Sequence, residues 1–159
     1  MRAGRRKEYP ELARGAVPDP QDEGSFLRSR LRWELRKEGH HRVLLGLYRE
    51  LLTLRRALPA VSRPEWERAT VLPYPDAGVL FVHQRKGEEE VCLVFSFGGA
   101  GVEVALPVPA GRWRKCLDTA EARWLGRGSP APPVLRSHGA VCLSLAPKAC
   151  VVFAKTGEE

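Results

Sequence analysis

Between His40 and Leu58 the sequence HHRVLLGLYRELLTLRRAL carries more apolar surface than one packing partner can cover. Val43, Leu47, Leu51, Leu54 and Leu58 are spaced by four, four, three and four, so a helix places them on one face. Leu44, Leu45, Tyr48 and Leu52 widen the apolar stripe, and Arg49, Glu50, Thr53, Arg55 and Arg56 leave only a narrow polar face. Arg55 and Arg56 fall in the last turn, where cations complement the helix dipole. Pro59 predicts the stop. A helix with one apolar face packs on one neighbour, whereas one that is apolar on two sides is normally wedged between neighbours. Nothing else in the sequence reads as a second helical layer.

Residues 1–24 read as irregular. GRRKEYPELARG could form a turn of helix broken by Pro10, and AVPDPQDEG is a loop by composition. Ser25 is expected to cap a short helix running to Leu35, with Phe26, Leu27, Leu31, Trp33 and Leu35 as its apolar contacts and Gly39 ending it.

From Glu67 onward the period changes to two. Strands are predicted at 69–74, 79–84, 90–97, 101–105, 113–118, 139–145 and 149–154. They are separated by turn signals such as Pro75-Asp76-Ala77-Gly78 and Gly98-Gly99. Gly126 to Pro133 reads as a Gly/Ser/Pro loop. Short strands at this spacing predict an antiparallel sandwich.

Charge and cysteine content narrow the function classes. Lys and Arg number 14 against 8 acids in residues 1–60, but 12 against 11 in the rest. The basic residues are interleaved with acids and show no stripe paired with aromatics, so a nucleic-acid partner is not expected. No apolar run is long enough to span a membrane. A basic start without an apolar segment after it argues against a secretory signal, so the expected location is cytoplasmic. Cys92, Cys116, Cys142 and Cys150 form no C-x-x-C pair, and no metal or other cofactor is expected. Cys92, Cys142 and Cys150 read as small buried hydrophobes in strands.

The order GRRKEY, VPDPQDEGSFLRSRLRW and HHRVLLGLYRELLTLRRALP resembles the end of the malto-oligosyltrehalose trehalohydrolases, in glycoside hydrolase family 13 of the α-amylase superfamily. Phe26, Ser29, Leu31 and Trp33 match one family element, with Arg30 in a lysine's place. Tyr48, Arg49, Leu51, Leu52, Leu54, Arg55 and Arg56 match another. VCLVFSF at 91–97 resembles the central strand of the superfamily's C-terminal sandwich, with Ser96 where relatives usually carry Asn. WRKCLDTAEARWLGRGS at 113–129 resembles its penultimate loop region.

The resemblance implies an α+β fold in two parts: residues 1–62 as the last helical segment of an eight-stranded α/β barrel, and residues 63–159 as an all-β antiparallel sandwich. It implies a parent reaction too, the hydrolysis of an α-1,4-glucosidic bond that releases trehalose from maltooligosyl trehalose. The family's catalytic carboxylates lie on barrel strands upstream of the segment matched here. The chain is therefore expected to be a non-catalytic part whose main partner is the missing barrel. The alternatives are a stand-alone glucan-binding sandwich and the corresponding part of a glucan-branching enzyme.

The individual candidates have competing readings. Asp118, three residues before Glu121, could be one of a carboxylate pair, but Asp-Thr after a strand more often makes a turn through its own backbone. Asp19 and Asp22 lie in a Pro-flanked loop and read as turn formers. His40 and His41 lack a third ligand. Gly98-Gly99-Ala100-Gly101 lies between strands rather than before a helix, so it fails as a phosphate loop. Trp113 and Trp124 are the substrate-binding candidates, since exposed indoles stack on sugar rings; the competing reading places both in the core.

Overall fold

A computed structural model describes Asp19 and residues 21–157. The stretch GRRKEYPELARG and residues 16–18 and 20 of the AVPDPQDEG loop lie outside the described residues. The chain divides into two compact units, one ending at Arg36 and one beginning at Lys37.

In the first unit, helix α1 spans Glu23–Ser29. It begins two residues before Ser25, with Asp22 in the capping position, and stops well short of Leu35 because Arg30 turns extended. Ser29 closes the last turn by donating its hydroxyl to the carbonyl oxygens of Ser25 (2.6 Å) and Phe26 (3.0 Å). Phe26, Leu27, Leu31 and Trp33 are exposed, so they are not the packing contacts expected of them. A 3-10 turn at Trp33–Lys37 follows.

The second unit opens with helix α2, Gly39–Ala57. Gly39 begins this helix rather than ending the one before. Its φ of +46° is a left-handed conformation that costs glycine little. Pro59 ends α2 as expected, but it also opens the single turn α3, Pro59–Ser62, as prolines do at a first helical position.

Eight strands follow: β1 Thr70–Tyr74, β2 Val79–Lys86, β3 Glu89–Ser96, β4 Val102–Leu106, β5 Gly111–Asp118, β6 Val134–Ser137, β7 Val141–Leu145 and β8 Ala149–Thr156. All pairings are antiparallel. Six strands form one sheet in the order β1-β2-β3-β8-β5-β6, and β4 pairs with β7 in a second. The architecture is thus a helical segment followed by an antiparallel sandwich. β6 is the strand that the sequence reading missed; Val134–Ser137 pairs with β5 just beyond the Pro-rich loop.

Two cores result from the two faces of the large sheet. Between the sheets, Phe81, Cys92, Val94, Trp113, Val151 and Phe153 meet Val104, Leu106, Leu143 and Leu145. On the other face, Val91, Leu117, Val152 and Ala154 meet Leu47, Leu54 and Leu58 of α2 and Ala60 of α3. A β-bulge in β5 decides how that strand is shared between the two cores. Trp113 and Leu117 are four residues apart and would share a face in a regular strand. The register shift between Lys115 and Leu117 sends Trp113 into the first core and Leu117 into the second.

Cys142 departs from the sequence reading. It is exposed, because β7 alternates and the outer face of the two-stranded sheet has no cover. All four cysteines are free thiols.

Candidate functional site

Helix α2 is buried on one side only. Its inner residues Leu47, Leu54 and Leu58 lie on the sheet, whereas Leu44, Tyr48, Leu51 and Leu52 keep 49, 59, 37 and 51% of their surface exposed. These four repeat at i, i+4, i+7 and i+8, so they form a continuous outer stripe. The docking of α2 is fixed at its middle and just beyond its C-terminal end. Mid-helix, Gly46 faces the indole of Trp124, and Glu50 lies 3.8 Å from the Arg123 guanidinium. In the following turn α3, the N–H of Ala60 donates to Glu89 Oε1 at 2.6 Å. A helix held this firmly while exposing so large an apolar stripe presents an interaction surface.

The structure separates the other candidates. Trp113 has no exposed surface. Its Nε1 donates to the Pro109 carbonyl at 3.0 Å and its ring is part of the inter-sheet core, so no sugar can stack on it. Trp124 is half-buried between Gly46 and Arg123, whose guanidinium carbon lies 4.6 Å from the ring centroid. Its Nε1 is buried without a partner. Both indoles therefore have packing roles.

Asp118 is fully buried and holds its own loop together. It accepts hydrogen bonds from the Ala120 N–H (2.8 Å) and from the Ser129 hydroxyl. Lys115 Nζ stands 3.9 Å from Asp118 and 3.6 Å from Glu121, and donates to Ser129 Oγ and the Ala131 carbonyl at 2.9 Å each. Glu121 turns its other oxygen to Arg123 at 2.6 Å. A carboxylate locked by a turn N–H, a hydroxyl and a nearby ammonium is a structural acid. The rings of His40 and His41 lie side by side, tilted by 33° with centroids 4.1 Å apart. Among the described residues, no group of three or more His, Cys, Asp or Glu could hold a metal ion.

One charged cluster was not legible in the sequence. Glu90 on β3 accepts from His83 Nε2 on β2 (2.8 Å) and from Lys155 Nζ on β8 (2.7 Å), and pairs with Arg85 at 3.0 Å. Burial pushes the Glu90 carboxyl up, but the hydrogen bonds from Lys155 and His83 and the nearby positive charges outweigh it, leaving it below the usual carboxylate range. Burial dominates at His83 and pulls its imidazole below the usual histidine value, against the opposing pull of Glu90. The cluster ties three adjacent strands at one sheet end.

The fold is of α-amylase type. A solved structure of a protein named as an α-amylase from Salmonella typhimurium matches with a TM-score of 0.65 and 26% identity, covering 98% of this chain and 23% of that one. An AmyP variant solved with maltotriose matches in fold with a TM-score of 0.58, at 21% identity over 77% of this chain and 22% of the other. No protein-family model matches.

The sequence is similar to curated malto-oligosyltrehalose trehalohydrolases. That of Deinococcus radiodurans is 39% identical over 110 residues, which are 65% of this chain and 18% of the relative. That of Rhizobium sp. strain M-11 is 45% identical over 62 residues, 38% of this chain and 10% of the relative. The chain is thus similar to these enzymes over up to about two thirds of its own length and spans less than a fifth of theirs. The resemblance drawn from the helical and strand motifs stands.

Proposed function

We propose that the chain is the non-catalytic C-terminal part of a trehalohydrolase-like glycoside hydrolase, in which residues 63–159 form the sandwich and residues 1–62 the helical segment that joins it to a catalytic barrel. The parent reaction is hydrolysis of the α-1,4-glucosidic bond that releases trehalose from maltooligosyl trehalose. The observation that carries this reading is the outer stripe of α2: Leu44, Tyr48, Leu51 and Leu52 are exposed while the opposite side is anchored on the sheet. A barrel covering that stripe would bury it on a second side, which is what the breadth of the stripe calls for. The burial of Asp118 supports the same reading, since it removes the strongest acid candidate of the β-half from chemistry.

The test has two arms. The purified 159-residue protein is incubated with maltooligosyl trehalose, and no trehalose or reducing sugar should appear. It is then added to the Deinococcus radiodurans relative truncated of its matching region, where it should raise the melting temperature of that partner. Tyr48→Glu combined with Leu52→Glu should abolish the effect. Hydrolysis by the chain alone, or stabilisation indifferent to the double substitution, overturns the proposal.

A further inference from the structure

At the end of the sandwich where β3 and β5 finish and β8 begins, the loops after β3, after β5 and before β8 converge. They enclose two adjoining open hollows of about 360 and 330 Å³ that share Thr119 and Lys148. Gly99, Gly126 and Arg127 line the first; Phe95 and Phe97 line the second.

Three independent observations meet here. The first is strain. Among the described residues two non-glycines have positive φ, Leu125 (63°) and Lys148 (50°), and both line the first hollow. Such conformations are strained, persist only where the surroundings enforce them, and gather at ligand clamps. The enforcement is visible. A Cβ on Gly126 would stand 2.0 Å from the Ala120 carbonyl oxygen, and the Lys148 N–H donates to the Gly98 carbonyl at 3.2 Å.

The second is charge. Arg127 and Lys148 form no ion pair among the described residues, and no carboxylate lines either hollow. The third is an aromatic surface. Phe97 is exposed, and its ring lies nearly parallel to that of Phe95, 10° apart with centroids separated by 6.3 Å. The glycine turn after β3 has no helix behind it to attract an anion, so the two cations supply that attraction.

We propose that this site binds an anionic sugar: a hexose-sized ring set against Phe97, with its phosphate between Arg127 and Lys148. The apolar C–H face of a sugar suits an exposed aromatic ring, and Thr119, whose hydroxyl accepts the Cys150 N–H at 2.8 Å, lines both hollows. The site does not depend on the docking role of α2.

The experiment is an amide chemical-shift titration of the isotope-labelled 159-residue protein at low salt with glucose 6-phosphate, glucose and inorganic phosphate. Glucose 6-phosphate should shift the amides of Gly99, Gly126 and Lys148 and bind about tenfold more tightly than either of its halves. Arg127→Ala and Lys148→Ala should each weaken it severalfold, and Lys148→Arg should restore it. Phe97→Ala should erase its advantage over inorganic phosphate. Unchanged melting curves identify variants that fold. Equal binding of glucose 6-phosphate and phosphate, equal binding of glucose, shifts centred elsewhere, or no shifts at all would each overturn the site.

Discussion

The carboxylate of Glu89 accepts the backbone N–H of Ala60 at 2.6 Å, so the hairpin between β2 and β3 caps the first turn of α3. Ala60 is completely buried, and its N–H has no water to fall back on. Glu89→Ala should therefore cost about 1–3 kcal/mol by urea unfolding, the penalty for a buried donor left unmatched. Glu89→Gln keeps an acceptor and should recover most of it.

The two sides of α2 should respond oppositely to truncation. Leu54→Ala opens the helix–sheet core and should lower stability by about 2–4 kcal/mol. Leu44→Ser and Leu52→Ser, on the outer stripe, should leave the unfolding midpoint nearly unchanged and reduce self-association in sedimentation.

Asp118→Ala should cost about 1–3 kcal/mol, since it leaves the buried Ala120 N–H without its acceptor and removes the carboxylate that holds the Ser129 hydroxyl. Guanidinium unfolding measures the loss. The same variant should leave any maltodextrin binding by the folded protein unaltered.

Acid should weaken the fold through His83. Burial holds its folded pKa below the ordinary histidine value of 6.5, so the unfolded chain binds the proton first. The contribution of neutral His83 is complete above the unfolded pKa, and it is lost as pH falls from that value through the folded one. Glu90, also lowered, adds a second loss below the ordinary glutamate value of 4.5. Urea midpoints between pH 7.5 and 5 should slope downward in the native chain. The slope should flatten in His83→Gln.

Thiol labelling under native conditions should begin at Cys142, the exposed cysteine. Its hydrogen bond to Glu103 (3.3 Å) raises its pKa, so Glu103→Gln should accelerate the reaction. Burial pushes the Cys150 thiol up to about 12 and Cys92 higher still, so both should react only on unfolding. Mass spectrometry of the labelled protein distinguishes the sites.

The long helix was legible because its leucine spacing survives any tertiary context, and so was its excess of apolar surface. Seven strands were legible within a few residues from alternation and turn signals. β6 was not, because four residues with an arginine among them, Val134–Ser137, carry too little pattern. The β5 bulge leaves no trace in residue type, and that obscured the opposite destinations of Trp113 and Leu117. Phe95 and Phe97 sat inside a strand that reads as apolar throughout. Their availability depends on where the helices stop covering the sheet, which no local pattern encodes. The positive φ of Leu125 and Lys148 was equally silent, since such turns announce themselves only through Gly, Asn or Asp.

Because of the bulge at Cys116, β5 sends its two large apolar side chains, Trp113 and Leu117, to opposite cores. Peeling α2 from the sheet bares Leu117, and disturbing Leu117 pulls on the backbone that seats Trp113. Helix and sandwich should therefore melt in one transition. A load applied to the outer stripe of α2 is carried into the whole sandwich, not into a detachable appendage.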